Sequence, residues 1–244
     1  MAAIKPYIKI RFLFLLTLLL TAMSSAQEVF DKENLMGKSD ISFYGDGTYQ
    51  LRKEAYEAFL KMKKSAATAG IEIKVVSSYR SFEHQNSIWT RKYNRFTAAG
   101  MSPTNAINKI IEYSTIPGTS RHHWGTDLDI VDGKPKQPKD VLLSKHFEGN
   151  GPYCKFKEWM DQNAASFGFY LVYTNNPERK GFKYEPWHYS YAPLSKPMLT
   201  AYQKINLKEA LAQLDLIGAK HIDANFIEKY VNFNILDINP ELKN

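Results

Sequence analysis

Between positions 51 and 69 the chain repeats apolar residues every three or four places, at Leu51, Ala55, Phe59, Met62 and Ala66, with Lys and Glu filling the other positions. That period predicts an amphipathic helix, and Gly70 supplies its stop. The pattern then changes to alternation. Ile71, Ile73 and Val75 are separated by Glu72 and Lys74, which predicts one half-buried strand delivering Ser77, Ser78, Tyr79 and Arg80 at its end. Over 82–96, Ile88, Trp89, Tyr93 and Phe96 return to helical spacing. Ser102-Pro103 reads as an N-cap followed by proline at the first helical position, opening a helix over 105–113 that Pro117-Gly118 ends.

Positions 126–131 predict a second strand, with Asp127, Asp129 and Val131 on one face and Leu128 and Ile130 on the other. Packing of Leu128 and Ile130 into the core turns both aspartates toward a cleft. Phe156, Trp159, Met160, Ala164 and Phe167 mark another amphipathic helix, before a strand over 169–173. The polar stretch 175–181 predicts a hairpin turn leading to Tyr184-Glu185-Pro186-Trp187-His188. Glu185 precedes proline and is expected in extended chain. Side chains three apart on a flat strand face opposite ways, so Glu185 and His188 meet only if the chain bends near Pro186. The expected architecture is α+β: a small, mostly antiparallel sheet flanked by helices. Residues 27–49 read as an N-terminal arm with turns at Gly45 and Gly47. After 196, a helical pattern over 199–216 and a mixed apolar stretch over 226–238 give a mostly helical extension, 196–244, beside the domain at 27–195.

The first 26 residues stand apart. Lys5, Lys9 and Arg11 precede an apolar run from Phe12 to Met23, and Ser24-Ser25-Ala26 offers small residues for cleavage, so 1–26 is expected to be a signal peptide and the protein to be exported, periplasmic or secreted. The apolar run is shorter than the ~20 residues that span a bilayer, so no stable span is expected in the mature chain. Cys154 is the only cysteine, which excludes an intramolecular disulfide and leaves stability to the core. Net charge is +7 over the whole chain, and three of those cations lie in the leader. The remainder is mildly basic without a dense Lys/Arg stripe, which argues against nucleic acid and suits an acidic polymer. Oligomeric state is not legible.

Chemistry concentrates in Ser120-Arg-His-His-Trp-Gly-Thr-Asp-Leu-Asp129 and Glu185-Pro-Trp-His188. His122, Asp129 and His188 provide two imidazoles and one carboxylate, the set that holds a catalytic zinc and leaves one position open for water. Glu185, three residues from a ligand histidine, is then the candidate general base. Asp127 is expected either behind a metal ligand or against the substrate's amine. His84, His146 and His221 lack ligand spacing.

These stretches, with Ser77-Ser-Tyr-Arg-Ser-Phe-Glu-His-Gln85 upstream, resemble the ordered motifs of the VanY-type zinc D-alanyl-D-alanine carboxypeptidases and dipeptidases, within the wider lysostaphin and hedgehog group. The resemblance spans Ser77 to His188 and selects His122 over His123 as ligand. It implies one zinc per chain in a cleft on the sheet, Arg80 stabilising the oxyanion or polarising the carbonyl, Ser120 holding the substrate's terminal carboxylate, and Tyr79 and Gln85 as substrate contacts. It also implies trimming of peptidoglycan stem peptides ending in D-Ala-D-Ala. L,D-carboxypeptidase, D,D-dipeptidase or endopeptidase activity, or a non-catalytic zinc-stabilised wall-binding module, are the alternatives. Asp127 departs from the family pattern, which usually has a small apolar residue there.

Overall fold

In the computed structural model the described residues are 30–38 and 41–243. The leader expected at 1–26 lies outside them. Residues 31–244 form one compact unit.

The periodic stretch after 51 forms a helix, Lys53–Thr68, here α2; a single turn, Lys32–Leu35, precedes it as α1. Ala55, Phe59, Met62 and Ala66 are fully buried on one face of α2. The helix stops because Gly70 takes φ +81°, a left-handed turn open to glycine. Ile71 N–H and Gly70 N–H then return to the carbonyls of Ala66 and Ala67, each at 3.0 Å.

The chain re-enters as strand β1, Ile73–Ser77, antiparallel to β2, Asp127–Asp132. The pairing slips between Val75 and Ser77, a bulge that bends the strand and re-aims the residues after it. Helix α3, Phe82–Ala98, begins at Ser81, whose hydroxyl accepts from His84 N–H at 3.2 Å. The Ser102 cap and proline start appear as read, at α4, Pro103–Ile110. Helix α5, Cys154–Asn163, and strand β3, Phe169–Leu171, lead into the last strand, β4, His188–Tyr191. The sheet order is β1-β2-β4-β3, antiparallel throughout. One face of the sheet meets the core, where Leu128, Ile130, Phe59, Phe169 and Tyr189 are sealed from solvent.

The C-terminal stretch differs from the single helix expected over 199–216. It forms α6, Ala192–Tyr202, then α7, Leu207–Ala212, and α8, Ala224–Tyr230. The break falls where Asn206 caps α7 by accepting from Glu209 N–H at 3.3 Å. This extension packs onto the segment that carries the site motif. Tyr202 O–H donates to Gly118 O at 2.9 Å, the Tyr230 hydroxyl accepts from Ile116 N–H at 3.1 Å, and Trp89 Nε1–H donates to Ile217 O at 3.0 Å. Buried tyrosines thus fix the loop 116–120 from behind, immediately before Ser120 and His122.

Candidate metal centre

Three local devices bring the motif residues together. Ser120 caps a 3-10 turn, Arg121–Trp124, which presents His122. The β2/β4 register sets Asp129 directly opposite His188 and Asp127 opposite Ser190, so all four side chains share one face of the sheet. A turn at Pro186-Trp187, closed by His188 N–H to Glu185 O at 3.1 Å, folds Glu185 back so that its Oε2 lies 3.0 Å from His188 Nδ1.

Each histidine has one nitrogen committed behind it. His122 Nδ1 lies 2.7 Å from the carbonyl oxygen of Ser78. A carbonyl only accepts, so Nδ1 carries the proton and Nε2 keeps its lone pair. That Nε2 is buried and has no hydrogen-bond partner, and it stands 3.4 Å from Asp129 Oδ2. His188 Nε2 faces Asp127 Oδ2 at 3.0 Å, which leaves Nδ1 pointing at Glu185 and, at 3.8 Å, at Asp129 Oδ1. One ligand atom from each of His122, Asp129 and His188 lies within 4.8 Å of the other two. The orphaned His122 nitrogen and the surplus of carboxylates fit a divalent cation, with each imidazole oriented by an acceptor outside the site.

The charges agree. Burial, then the Arg80 charge, lowers the pKa of His122 and favours the neutral, ligating form. Burial raises Asp129, but His122, His188 and Arg80 outweigh it and hold the carboxyl at about 2. Burial also opposes a charged His188, yet its contacts to Asp127 and Glu185 push it to about 9, so a metal taking Nδ1 must displace a proton. Glu185 is raised by burial, against the pull of His188.

Arg80 is tied at every nitrogen: Nε–H to Ser77 Oγ at 3.1 Å, Nη1–H to Gln85 Oε1 at 2.9 Å and Nη2–H to Asp129 Oδ2 at 3.3 Å. Three of the expected substrate contacts lie elsewhere. Gln85 is fully buried, with its amide spent on Arg80 and on Thr115 O at 2.9 Å, so it positions Arg80. Tyr79 stacks on Phe43 with centroids 3.8 Å apart. Asp127 is sealed from solvent, its oxygens taken by Arg121 Nε–H at 3.0 Å, Ser190 Oγ–H at 2.6 Å, Thr126 Oγ1–H at 2.8 Å and His188. A substrate amine cannot reach it. The buried Arg121 guanidinium, which also stacks on Trp124, is the reason the aspartate is drawn inward rather than into the cleft. Ser120 does line the cleft, which has a volume of about 890 Å³ and His122, Asp129, Glu185 and His188 in its lining. Its walls include groups not singled out from sequence: Tyr173, edge-on to His188 at 5.1 Å, Lys92, and the segment 139–145.

Asp127→Asn keeps the volume and an acceptor for His188 but removes the charge. We expect a ~10–100-fold loss in zinc affinity, the usual cost of losing an outer partner of a ligating histidine, read by competition with a chromophoric chelator; unchanged affinity contradicts this placement.

His123 is buried beside the cluster but faces away. Its Nδ1–H donates to Arg80 O at 2.6 Å and its Nε2 accepts from Gly118 N–H at 3.1 Å. His123→Ala strands both buried backbone groups, and roughly 2–5 kcal/mol of stability should be lost in denaturant unfolding while zinc is retained. Burial holds this ring neutral, with its pKa down from 6.5 to about 3. The unfolded chain therefore takes up a proton the folded chain refuses, and stability falls as pH drops from about 6.5 toward 3. The variant should lack that component.

Fold and site together define an α+β protein with a candidate mononuclear metal centre at the floor of a cleft. A family model described as VanY, D-alanyl-D-alanine carboxypeptidase, matches residues 48–194, and the chain belongs to that family. It is 31% identical over 149 residues to a D-alanyl-D-alanine carboxypeptidase of Enterococcus faecalis (strain ATCC 700802 / V583), covering 60% of this chain and 50% of that protein. The chain thus spans about half the length of that relative. Among solved structures, VanYB in complex with D-alanine-D-alanine matches with a TM-score of 0.52 at 24% identity, over 72% of this chain and 91% of that one. A mutant of the vancomycin-resistance D,D-pentapeptidase VanY in complex with Zn(II) matches with a TM-score of 0.51, also at 24% identity, over 70% and 90%. At that identity the likeness establishes the fold.

Proposed function

We propose that the protein is a zinc-dependent D-alanyl-D-alanine carboxypeptidase that removes the last residue of peptidoglycan stem peptides after export. The observation that carries the reading is the Glu185 carboxylate 3.0 Å from His188, inside a three-donor cluster on the floor of an open cleft. The family description and the Enterococcus faecalis relative support the substrate class.

His122, Asp129 and His188 hold one zinc per chain. When bound, zinc supplies Lewis acidity at the scissile carbonyl and brings the pKa of water toward ~7. Glu185 takes the proton from the attacking water and passes it to the leaving amine. Arg80 faces the cleft as a fork already fixed by Ser77, Gln85 and Asp129, so it donates to the oxygen that gains charge without reorganising. Ser120 uses its Oγ as acceptor for His122 N–H at 3.3 Å, which leaves its O–H to donate to the substrate's terminal carboxylate.

Incubation of the purified protein with a stem pentapeptide ending in D-Ala-D-Ala tests the assignment. The expected product is the tetrapeptide plus free D-Ala. Release of intact D-Ala-D-Ala, or cleavage within the peptide alone, counts against it.

A further inference from the structure

Helix α3 runs along one wall of the cleft and turns Ile88, Lys92 and Arg95 into it, at a spacing of four and then three residues. Of the basic side chains on the inner walls, two already hold a carboxylate. Arg80 is paired with Asp129 at 3.3 Å, and Arg121 with Asp127 at 3.0 Å, although Arg121 Nη1 is buried without a hydrogen-bond partner. Lys92 has no carboxylate or hydrogen-bond partner among the described residues, although its surroundings are partly dry. Burial lowers its pKa, the Arg80 charge lowers it further, and only Glu185 favours the charged form. Its ammonium therefore sits in the same field as the two groups proposed to act on the scissile bond.

A half-buried ammonium without a counter-charge is unfavourable unless a ligand supplies one. The carboxylates at the floor cannot supply it: Asp127 and Asp129 hold arginines and histidines, and Glu185 holds His188. The anion must come from the bound molecule. Lys139, Asp140 and Lys145 border the cleft too, and Arg95, three residues after Lys92, is exposed where Lys92 is half-buried, so the mouth carries an excess of positive charge that favours anions.

We infer that Lys92 is the receptor for the free C-terminal carboxylate of the peptide, and that it sets the preference for cutting at a chain end over an internal bond. The assignment rests on the carboxypeptidase reading above. In a peptide whose last residue is alanine, the carboxylate is the only anionic group on the departing side of the scissile bond. Lys92 supplies the opposite charge, and the Ser120 hydroxyl, on the same cleft, supplies a directed hydrogen bond. The contact exists before and during reaction alike, so it acts chiefly on KM.

The test uses the zinc-loaded full protein with a D-Ala-D-Ala peptide as the free acid and as its C-terminal amide. Wild type should prefer the acid, and K92M should reduce that preference by about 10–100-fold, the range expected for a lost charge-assisted hydrogen bond, mainly through KM. K92R should restore most of it, a recovery that a merely structural role for the side chain does not predict. If K92M keeps zinc and the wild-type acid-over-amide ratio, Lys92 is not the receptor, while the carboxypeptidase reading stands. If wild type cleaves acid and amide equally, the chain-end reading fails and this assignment with it. If wild type cleaves neither, calorimetric binding of D-Ala-D-Ala and its amide decides separately: selective loss of acid affinity in K92M supports the receptor, and unchanged affinity overturns it.

Discussion

Glu185→Gln is expected to lower turnover of a D-Ala-ended peptide by about 10²–10⁴-fold, the range attributed to a positioned general base, while zinc content and thermal melting stay near wild type. Glutamine keeps the size of the side chain and an oxygen that can still face His188, but it cannot accept a proton from water. The site is built so that this difference matters. The turn at Pro186 holds Glu185 against His188, and burial raises the carboxyl above its ordinary range, closer to a working neutral pH. If Glu185 were instead a metal ligand or a purely structural carboxylate, zinc content or melting temperature would fall along with the rate. Turnover, metal content and melting measured on one preparation separate these cases. A variant that releases D-Ala at the wild-type rate is incompatible with the mechanism.

His122→Ala should lose nearly all bound zinc. It removes a neutral imidazole whose lone pair has no other partner in the structure, so the remaining pair, Asp129 and His188, has only two donors to offer. The loss should exceed the ~10–100-fold expected for an outer partner such as Asp127. Metal analysis after dialysis reads it, and His123→Ala serves as the control, because that neighbouring ring bonds to Arg80 O and Gly118 N–H and not to the cluster. Full occupancy in His122→Ala would mean that the metal sits elsewhere.

Much of the fold was legible because its signals are local. The period that buries Ala55, Phe59, Met62 and Ala66, the alternation in β1, and the Ser102-Pro103 start each depend on residues a few positions apart. The split of the tail into α6 and α7 also has a local signal: the Asn206 side chain accepts from Glu209 N–H at the start of α7, and its Nδ2–H donates to Glu209 Oε2 at 3.3 Å. Depth was not legible. Gln85 lies on the first turns of α3 and looks like a cleft residue, but it is covered by the 114–115 segment, roughly thirty positions away. Asp127 alternates correctly with Leu128 and shares a face with Asp129, yet its direction is settled by Arg121, Ser190 and Thr126 enclosing it. Lys92 follows Ile88 by four residues and carries no signal of its own in the sequence, and only the packing of α3 along the cleft turns both side chains toward the site.

The central claim is that a metal held by His122, Asp129 and His188 is needed for removal of a terminal D-Ala. Mass spectrometry of a D-Ala-D-Ala stem peptide incubated with the protein as purified, after a strong chelator, and after return of one equivalent of zinc tests this most directly. The account predicts loss of one alanine in the first sample, intact peptide in the second and recovery in the third. Equal cleavage in the chelated sample, with the metal verified absent, would contradict it.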